Sequence, residues 1–335
     1  MTTPAIPSPV PIPFPIAELL GRLALAPRQT HKALTLWPLV LREDAPLPEG
    51  AGYVPLSRAL EDGSVQIDEL DAHGSVPLVR VSNRGIHDVL FLFGEEIRGA
   101  KQNRIANASF LVPARSELEI DVSCVEQGRW GRRGSAGFTA SGEVVSHSMR
   151  SQMSRSVAES RSRGGRFASD QSEVWREIRA RLSQAQTSSA TDSYEDYVRS
   201  RRADLSELLA AFRPLERQVG FLASIGDAIV GLEAIGRPEV FKEQFDGLVR
   251  SYAVDAIDPP LGARDRERRA AGADSPEAFL ATLGRAPAQR APSLGLGDDL
   301  RIEGEGVAGC ALVAGPVIHL TAFPSPATPE APGEG

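Results

Sequence analysis

Cysteine is scarce in this sequence, and metal-binding spacings are missing. Cys124 and Cys310 are the two cysteines, and the five histidines show no HxH or HExxH pattern. Two cysteines cannot form the disulfide framework of a small secreted domain, and neither belongs to a CxxC pair typical of zinc sites. These absences argue against a zinc enzyme and a disulfide-stabilised extracellular protein. They favour a reducing compartment, and we expect a cytoplasmic location.

Long apolar runs and a surplus of basic residues are also missing. No apolar stretch approaches the length that spans a bilayer, which predicts that the chain does not enter a membrane. Lys and Arg total 37 against 44 Asp and Glu, so the net charge is −7. A general nucleic-acid binder needs excess positive charge to neutralise phosphates, and this balance argues against one.

The first residues lack the basic cluster and the apolar core of a signal peptide. Prolines recur there instead, at Pro4, Pro7, Pro9, Pro11, Pro13 and Pro15. This spacing predicts an extended, flexible arm over residues 1–19, with a partner-docking motif as the alternative. Residues 324–335 are rich in Pro, Ala and Glu, and they predict a disordered tail.

Three parts of the chain, far apart in sequence, have the pattern of β-strands. Residues 23–41 have β character, residues 218–236 form two apolar segments around Gly226 and Asp227, and residues 300–323 are apolar with intervening glycines. Gly-Asp between apolar segments is typical of a tight hairpin turn. We expect an α+β fold in which the last strands rejoin a sheet begun by the first.

Helices are predicted between these strands. Asp170 followed by Glu173 forms a capping-box pattern, which predicts the start of a helical insertion over residues 170–213. Pro238 suits the first turn of a further helix. A short helix is also expected at residues 65–70. All these elements are assigned to a single domain that covers residues 20–323.

The composition changes to Ser, Gly and Arg over residues 131–169. This change predicts a flexible, solvated segment, and the alternative is a basic lid over an anionic ligand. Met149, Met153 and Val157 keep helical spacing, so a short helix is expected within the segment.

Residues 89–130 place polar side chains where apolar strands end. Residues 89–93 are a continuous apolar run that is followed by Glu95 and Glu96. Because side chains alternate along a strand, one of these two carboxylates ends each face. Glu95 ends the row of Val89, Phe91 and Phe93, and we expect it to point toward an interior or cleft that it shares with Glu126.

Residues 117–126 alternate cleanly, with one core-facing row that ends in Cys124 and Glu126. The other row is predicted to face solvent and comprises Glu117, Glu119, Asp121 and Ser123. A buried carboxylate needs a partner, and Arg104 or Arg129 is the nearest candidate for Glu126.

The two polar patches offer the residue types of a binding or catalytic site. Glu95, Glu96 and Glu126 are candidate catalytic residues, as general acid or base, and their oxygens would suit magnesium among metals. The candidate ligand-binding residues are Gln102, Asn103, Arg104, Asn107, Arg129 and Trp130. Guanidinium groups bind phosphate, amides can bind the polar edge of a ribose or a base, and an indole can stack on a base or a sugar. Each also has a structural interpretation, as an ion pair, a turn-satisfying amide or a core side chain.

Cys124 and His319 are accessory candidates. A thiol and an imidazole can act together as nucleophile and base. Cys124 lies in the core-facing row and His319 lies between apolar residues of a strand, so buried structural roles are favoured for both.

Two segments are similar to a known family. Residues 94–112 (GEEIRGAKQNRIANASFLV) and 122–130 (VSCVEQGRW) resemble the ARG and Rhodanese-Phosphatase-superfamily-associated protein domain, a family of unknown function. The family has Gly-Gly before Gln-Asn-Arg, where this chain has Gly99 and Ala100. The resemblance implies a shared fold and site. The family's association with ADP-ribosylglycohydrolase-like and phosphatase-like proteins implies a nucleotide-derived or phosphorylated ligand.

Two functions from different classes fit these patterns. In the first, the domain binds or acts on an ADP-ribose-like or phosphorylated small molecule through the Glu, Arg, Gln and Asn side chains. In the second, it is a non-catalytic interaction or scaffold module whose polar cluster is a buried structural network. Open space where Arg104, Glu126 and Arg129 converge would favour the first. Mutual pairing of these residues would favour the second.

Overall fold

A computed structural model of the chain describes residues 14–46, 52–70, 77–129, 137–260 and 275–325. Within these ranges it contains eight helices and eighteen strands, which confirms the α+β class. Most of the predicted tail and most of the proline-rich arm fall outside these ranges, although Pro324, predicted as the first residue of the tail, ends a strand.

The helices are α1 (Phe14–Gly21), α2 (Leu56–Glu61), α3 (His147–Ser162), α4 (Gln171–Gln184), α5 (Tyr194–Ser200), α6 (Arg202–Leu209), α7 (Pro238–Ile257) and α8 (Pro276–Leu283). The strands are β1 (Leu23–Leu25), β2 (Gln29–His31), β3 (Leu34–Leu41), β4 (Tyr53–Pro55), β5 (Val65–Glu69), β6 (Leu78–Asn83), β7 (Asp88–Phe91), β8 (Glu95–Gly99), β9 (Arg104–Ala106), β10 (Phe110–Val112), β11 (Ser116–Cys124), β12 (Phe138–Val144), β13 (Gln218–Ile225), β14 (Ala228–Ile235), β15 (Ala288–Pro292), β16 (Asp298–Gly304), β17 (Val307–Val313) and β18 (Val317–Pro324).

The largest sheet has nine strands, taken from the beginning, the middle and the end of the chain. Its order is β1-β3-β13-β14-β18-β17-β16-β15, and β2 also pairs with β3. β13 and β14 form the predicted hairpin, and Gly226 in its turn has a φ of +60°. The prediction that the last strands rejoin a sheet begun by the first is therefore confirmed.

A six-stranded sheet carries most of the predicted site residues. Its order is β12-β8-β9-β11-β6-β5, and a separate three-stranded sheet has the order β10-β7-β4. Helix α7 packs its apolar face against the nine-stranded sheet, where the Tyr252 ring meets the Phe221 ring edge-on at 5.5 Å between centroids. Apolar burial of this kind holds the layers together.

Three local predictions are corrected by the structure. Residues 65–69 form strand β5 and not a helix, since Val65 and Ile67 are buried while Gln66 between them is exposed. Residues 14–19, predicted as part of a flexible arm, belong to helix α1. Residues 137–162, predicted as part of a flexible segment, are largely β12 and α3.

The helical predictions hold where a cap is present. Asp170 accepts hydrogen bonds from the backbone N–H groups of Ser172 and Glu173 and so caps α4. Helices α4, α5 and α6 all lie within the predicted insertion. Met149 and Met153 of α3 are buried, as their helical spacing predicted.

Candidate functional site

Most of the predicted site residues lie on or beside three adjacent strands, β8, β9 and β11, whereas His319 lies in β18 of the nine-stranded sheet. The turn before β8 contains Gly94, which has a φ of +79°, and a Cβ on this glycine would lie 2.5 Å from Arg150 Cδ. The turn after β8 contains Gly99 and Ala100, with φ values of +138° and +44°. The second turn position thus adopts a left-handed conformation even as alanine, which is uncommon for a residue with a Cβ. These turns direct residues 102–104 toward the end of β11.

All predicted site residues within the described ranges are buried. They are Glu95, Glu96, Gln102, Asn103, Arg104, Asn107, Cys124, Glu126, Arg129 and His319. Trp130 lies outside the described residues. Buried polar groups are costly unless they are hydrogen-bonded, so their partners determine what these side chains do.

Arg129 ties the end of β11 to the turn after β8. Its Nε donates to Glu126 Oε2 at 2.7 Å, and its Nη1 donates to the Ala100 carbonyl at 2.8 Å. Its Nη2 donates to Asn103 Oδ1 at 3.1 Å. The predicted ion pair between Glu126 and Arg129 is therefore present, and it belongs to a wider set of contacts.

Gln102 and Arg104 extend this network. Gln102 Nε2 donates to the Glu126 carbonyl at 2.9 Å, and Arg104 Nη1 donates to Gln102 Oε1 at 3.0 Å. The carboxylate nearest to Arg104 is Glu69 of β5, with Nη2 and Oε1 3.8 Å apart. Sequence reasoning missed Glu69, because β5 was predicted as a helix.

Two further contacts connect the network to the region of α5. Thr191 Oγ1 donates to Glu126 Oε1 at 3.0 Å, and Asn103 Nδ2 donates to Glu195 Oε2 at 3.2 Å. We call Gln102, Asn103, Arg104, Glu126 and Arg129 the loop network. Its members satisfy one another, as expected for a structural arrangement.

Asn107 has a separate structural role. Its Nδ2 donates to the Phe167 carbonyl at 2.9 Å, and its Oδ1 accepts from Ser123 Oγ at 2.7 Å. Ser123 and Asp121 were predicted to face solvent, but both are buried. The chain between α3 and α4 covers them, and Arg166 Nε donates to Asp121 Oδ1 at 3.0 Å.

Glu95 and Glu96 are adjacent buried carboxyl groups with different partners. Glu95 Oε2 accepts from the Leu92 backbone N–H at 3.0 Å, whereas Glu96 Oε2 accepts from Arg98 Nε at 2.8 Å. Burial raises the pKa of each to about 7. Both groups are therefore close to half protonated at neutral pH, a property of acid–base residues and also of buried structural acids.

The three candidate catalytic glutamates do not share a common contact. Glu126 bonds to Arg129, Glu96 to Arg98, and Glu95 to its own turn. Among the described residues, no group of three or more acidic, histidine or cysteine side chains is arranged to hold a metal ion. The magnesium site considered from the sequence has no support in this part of the chain.

Cys124 and His319 also lie apart. The Cys124 thiol donates to the Glu126 carbonyl at 3.2 Å, and burial raises its pKa. His319 Nδ1 lies 2.7 Å from Ser109 Oγ, and its Nε2 lies 3.3 Å from Glu233 Oε2. The structure does not bring the proposed thiol nucleophile and its base together.

Glu233 is the centre of a buried network that sequence reasoning missed. Its Oε1 accepts from Arg150 Nη1 at 2.7 Å, from Tyr252 Oη at 2.7 Å and from Thr321 Oγ1 at 2.9 Å. Burial alone would raise the pKa of Glu233, but Arg150 and His319 outweigh it and lower the pKa to about 2. The available signal was a single charged residue in the otherwise apolar strand β14.

Asp255 is the centre of a second missed network, which joins α3, α4 and α7. Its carboxylate accepts from the Ser148 backbone N–H at 3.0 Å and from Arg181, and it pairs with His147. Arg181 and His147 hold the pKa of Asp255 well below its usual range, although burial opposes this. Because the members of this network, Asp255 included, come from three helices, local patterns could not reveal it.

A cleft of about 470 Å³ lies next to the loop network. Glu195 lines this cleft and accepts a hydrogen bond from Asn103 of the network. Its charged lining residues are Arg98, Arg199, Arg202, Arg250, Glu143 and Glu195. Glu195 lies 3.7 Å from Arg98 Nη1 and accepts from Arg199 Nη2 at 2.9 Å. Arg250 Nη1 donates to Glu143 Oε1 at 2.7 Å. Of these residues, only Arg98 lies in the stretch predicted from sequence, and it was not a ligand candidate.

A larger groove of about 870 Å³ lies between α3 and α4. Four arginines and four carboxylates line it, so its lining has no excess charge. Within the described part of the Ser/Arg-rich segment, three arginines have partners outside the groove: Arg150 bonds to Glu233, Arg166 to Asp121, and Arg161 lies 4.4 Å from the Phe167 ring centroid. These contacts do not favour the basic lid.

The sequence predicted that the chain does not enter a membrane, and the length and apolar character of the helices bear on this prediction. Within the described ranges, no helix combines the length and the apolar character needed to cross a bilayer.

Comparison with known proteins gives a family match that extends far beyond the two similar segments. No curated protein and no solved structure matches the chain. One family model matches residues 22–323, a range that includes the loop network, the cleft and the nine-stranded sheet. The chain therefore belongs to the ARG and Rhodanese-Phosphatase-superfamily-associated Protein domain family.

Proposed function

We propose that the domain binds a small phosphorylated or nucleotide-derived ligand in the cleft between β8, α5, α6 and α7. The observation that carries the proposal is the convergence of four arginines on about 470 Å³ of space. Guanidinium groups bind phosphate oxygens through paired hydrogen bonds. The volume lies within the range of small-molecule sites, roughly 300–1,000 Å³.

The charge of the cleft supports an anionic ligand. Glu143 and Glu195 are two lining carboxylates against four lining arginines. Arg202 is exposed, and the described residues include no acidic partner for it. A phosphate group would contact Arg202 without breaking an ion pair. It would compete with Glu195 and Asp196 for Arg199, which pairs with both.

In this proposal the loop network supports the site and does not contact the ligand. Asn103 holds Glu195, and Glu195 in turn contacts Arg98 and Arg199 at the edge of the cleft. The side chains of a binding site keep the geometry that the ligand needs when surrounding hydrogen bonds hold them in place. This role explains why Gln-Asn-Arg and Glu-x-Gly-Arg lie together without providing open space of their own.

The test is a thermal-shift screen of ADP-ribose, nucleotides, sugar phosphates and inorganic sulfate, each with and without magnesium. We expect at least one anion to raise the Tm of the wild type. Arg202→Ala should weaken binding of that ligand about ten- to a hundredfold, because one charge-assisted hydrogen bond is worth roughly 1.5–3 kcal/mol. Arg84→Ala is the matched control, since Arg84 is exposed and lies outside the cleft lining. Equal weakening in both variants would contradict the cleft assignment.

A second candidate is a non-catalytic scaffold module, which is favoured by the mutual pairing inside the loop network. In that case, no anion would shift the Tm of the wild type. Asn103→Ala would then lower stability without altering any ligand response, because its amide bonds to both Arg129 and Glu195. Either function is consistent with a protein of the cytoplasm, where the free Cys124 and Cys310 stay reduced.

A further inference from the structure

Glu96 lies behind the cleft and is bonded to one of its arginines. Its Oε2 accepts from Arg98 Nε, whereas its Oε1 is buried and has no hydrogen-bond partner in the part of the chain that the structure describes. Arg98 extends from the same strand to the lining of the cleft. A buried carboxylate with an unpaired oxygen is costly when it is ionised, and protonation removes that cost.

The groups around Glu96 come from several elements. Arg98 faces it along β8, while Glu143 and Ser141 approach from β12, and the Ser141 hydroxyl donates to the Glu96 carbonyl at 2.9 Å. On the opposite side, β9 places the apolar Ile105 beside it. Burial raises the pKa of Glu96 to about 7. Arg98 and, to a smaller extent, the Ser141 hydroxyl oppose the rise, and Glu143 adds to it.

The neighbouring ion pairs leave Arg98 as the main counter-charge for Glu96. Arg250 pairs with Glu143 at 2.7 Å, so the Glu143 carboxylate is already occupied. Arg98 also lies 3.7 Å from Glu195, so its charge is shared between two carboxylates. An additional anion at Arg98 would therefore reduce the electrostatic stabilisation that Arg98 gives to the ionised Glu96 carboxylate.

We propose that anion binding in the cleft is coupled to the uptake of one proton by Glu96. This inference rests on the proposed function. An anion bound to Arg98 takes over charge that otherwise stabilises the Glu96 carboxylate. The carboxylate then accepts a proton from solvent and becomes a neutral carboxylic acid. No covalent bond to the ligand forms or breaks.

The direction of the pH dependence follows from this proton balance. The bound state holds more protons than the free state, so affinity increases as the pH falls. For one proton the limit is about tenfold in Kd per pH unit. The slope is steepest between the pKa of Glu96 in the free protein, about 7, and its higher pKa in the bound state, and it flattens on either side of this window.

Titration calorimetry with inorganic sulfate tests the proposal, because sulfate has no titration of its own near neutral pH. Binding is measured at one slightly alkaline pH in two buffers with different ionisation enthalpies, and the difference gives the protons taken up. The wild type should take up a measurable fraction of one proton per sulfate. Glu96→Gln should bind sulfate with proton uptake close to zero.

Glu95→Gln is the matched control for this experiment. Glu95 is the neighbouring residue, is equally buried and has a similarly raised pKa, but it bonds to the Leu92 N–H and not to Arg98. It should retain the proton uptake of the wild type. Sulfate binding without proton uptake, or uptake unchanged in Glu96→Gln, would overturn the coupling and leave the proposed function standing. If neither sulfate nor any phosphate compound binds, the proposed function itself is wrong.

Discussion

Glu233 and Arg150 are two residues whose opposite charges are fully buried, 2.7 Å apart. Removing one partner of such a pair leaves the other as an uncompensated buried charge. Glu233→Gln should therefore lower the free energy of unfolding by about 3–5 kcal/mol. Urea denaturation at neutral pH measures this value.

Glu119→Gln is the control for that substitution. Glu119 forms an exposed pair with Arg80 at 3.3 Å, and exposed pairs contribute roughly 0–1 kcal/mol. Similar losses in both variants would contradict the assignment of Glu233 as the centre of a stabilising network.

Residue-level prediction from the sequence succeeded where one strand determines the outcome. Alternation placed Cys124 and Glu126 in a core-facing row, and both are buried. It placed Glu95 and Glu96 on opposite faces of a strand, and the two carboxylates have different partners. It failed for Asp121 and for the partner of Arg104, because both depend on distant segments. Alternation reports which face a side chain takes, but not which segment covers that face.

Helix α4 shows how a local signal sets the start of an element. Asp170 accepts from two backbone N–H groups that would otherwise lack partners in the first turn. Asp170→Ala should lower the free energy of unfolding by about 1 kcal/mol. Thermal or urea unfolding measures the change.

Asp246→Ala serves as the reference for the cap, since Asp246 is exposed in the interior of α7. It should be neutral or slightly stabilising, because alanine has the higher helix propensity. If Asp170→Ala behaves like this reference, the cap contributes nothing to stability.

Among the secondary-structure elements, helix caps and turns were predicted better than segments without a capping residue or a turn glycine. The Asp170 cap and the Gly226 turn have local chemistry that a sequence displays. Residues 65–69 lack such a signal, and a short apolar pattern is ambiguous between helix and strand. The polar composition of residues 137–162 predicted a flexible, solvent-exposed segment, yet Met149 and Met153 are buried on one face of α3.

Across the whole molecule, buried acids predict how stability varies with pH. Glu95 and Glu96 have folded pKa values near 7, above their ordinary value of 4.5, so the folded state holds their protons more tightly. Their stabilising contribution is complete below pH 4.5 and is lost as the pH rises toward 7. Glu233 and Asp255 have lowered values, so their contribution is lost in acid.

The free energy of unfolding should therefore be greatest at weakly acidic pH and should fall toward pH 8. Each pKa unit corresponds to about 1.4 kcal/mol, so the two raised groups together account for several kcal/mol. Urea denaturation across this range measures the profile. Glu95→Gln should reduce the decline above pH 5, and a profile that rises steadily to pH 8 would contradict the burial of these carboxyl groups.

Most members of the nine-stranded sheet could be predicted, but β15 (Ala288–Pro292) and the order of the strands could not. Three β-rich regions were visible in the sequence, and their union in one sheet is confirmed. The order depends on pairings between segments such as β3 with β13 and β14 with β18, which are far apart in sequence. The cleft was missed for the same reason, since its four arginines come from four separate elements.

Strand β18 has a position that bears on how the chain is synthesised. Among the described residues it is the last strand in chain order, yet it lies inside the sheet between β14 and β17. Until residues 317–324 leave the ribosome, β14 and β17 each expose an unpaired strand edge, which is a template for aggregation. The nascent chain therefore passes through a stage in which the other described strands of this sheet are made but the sheet is still split in two.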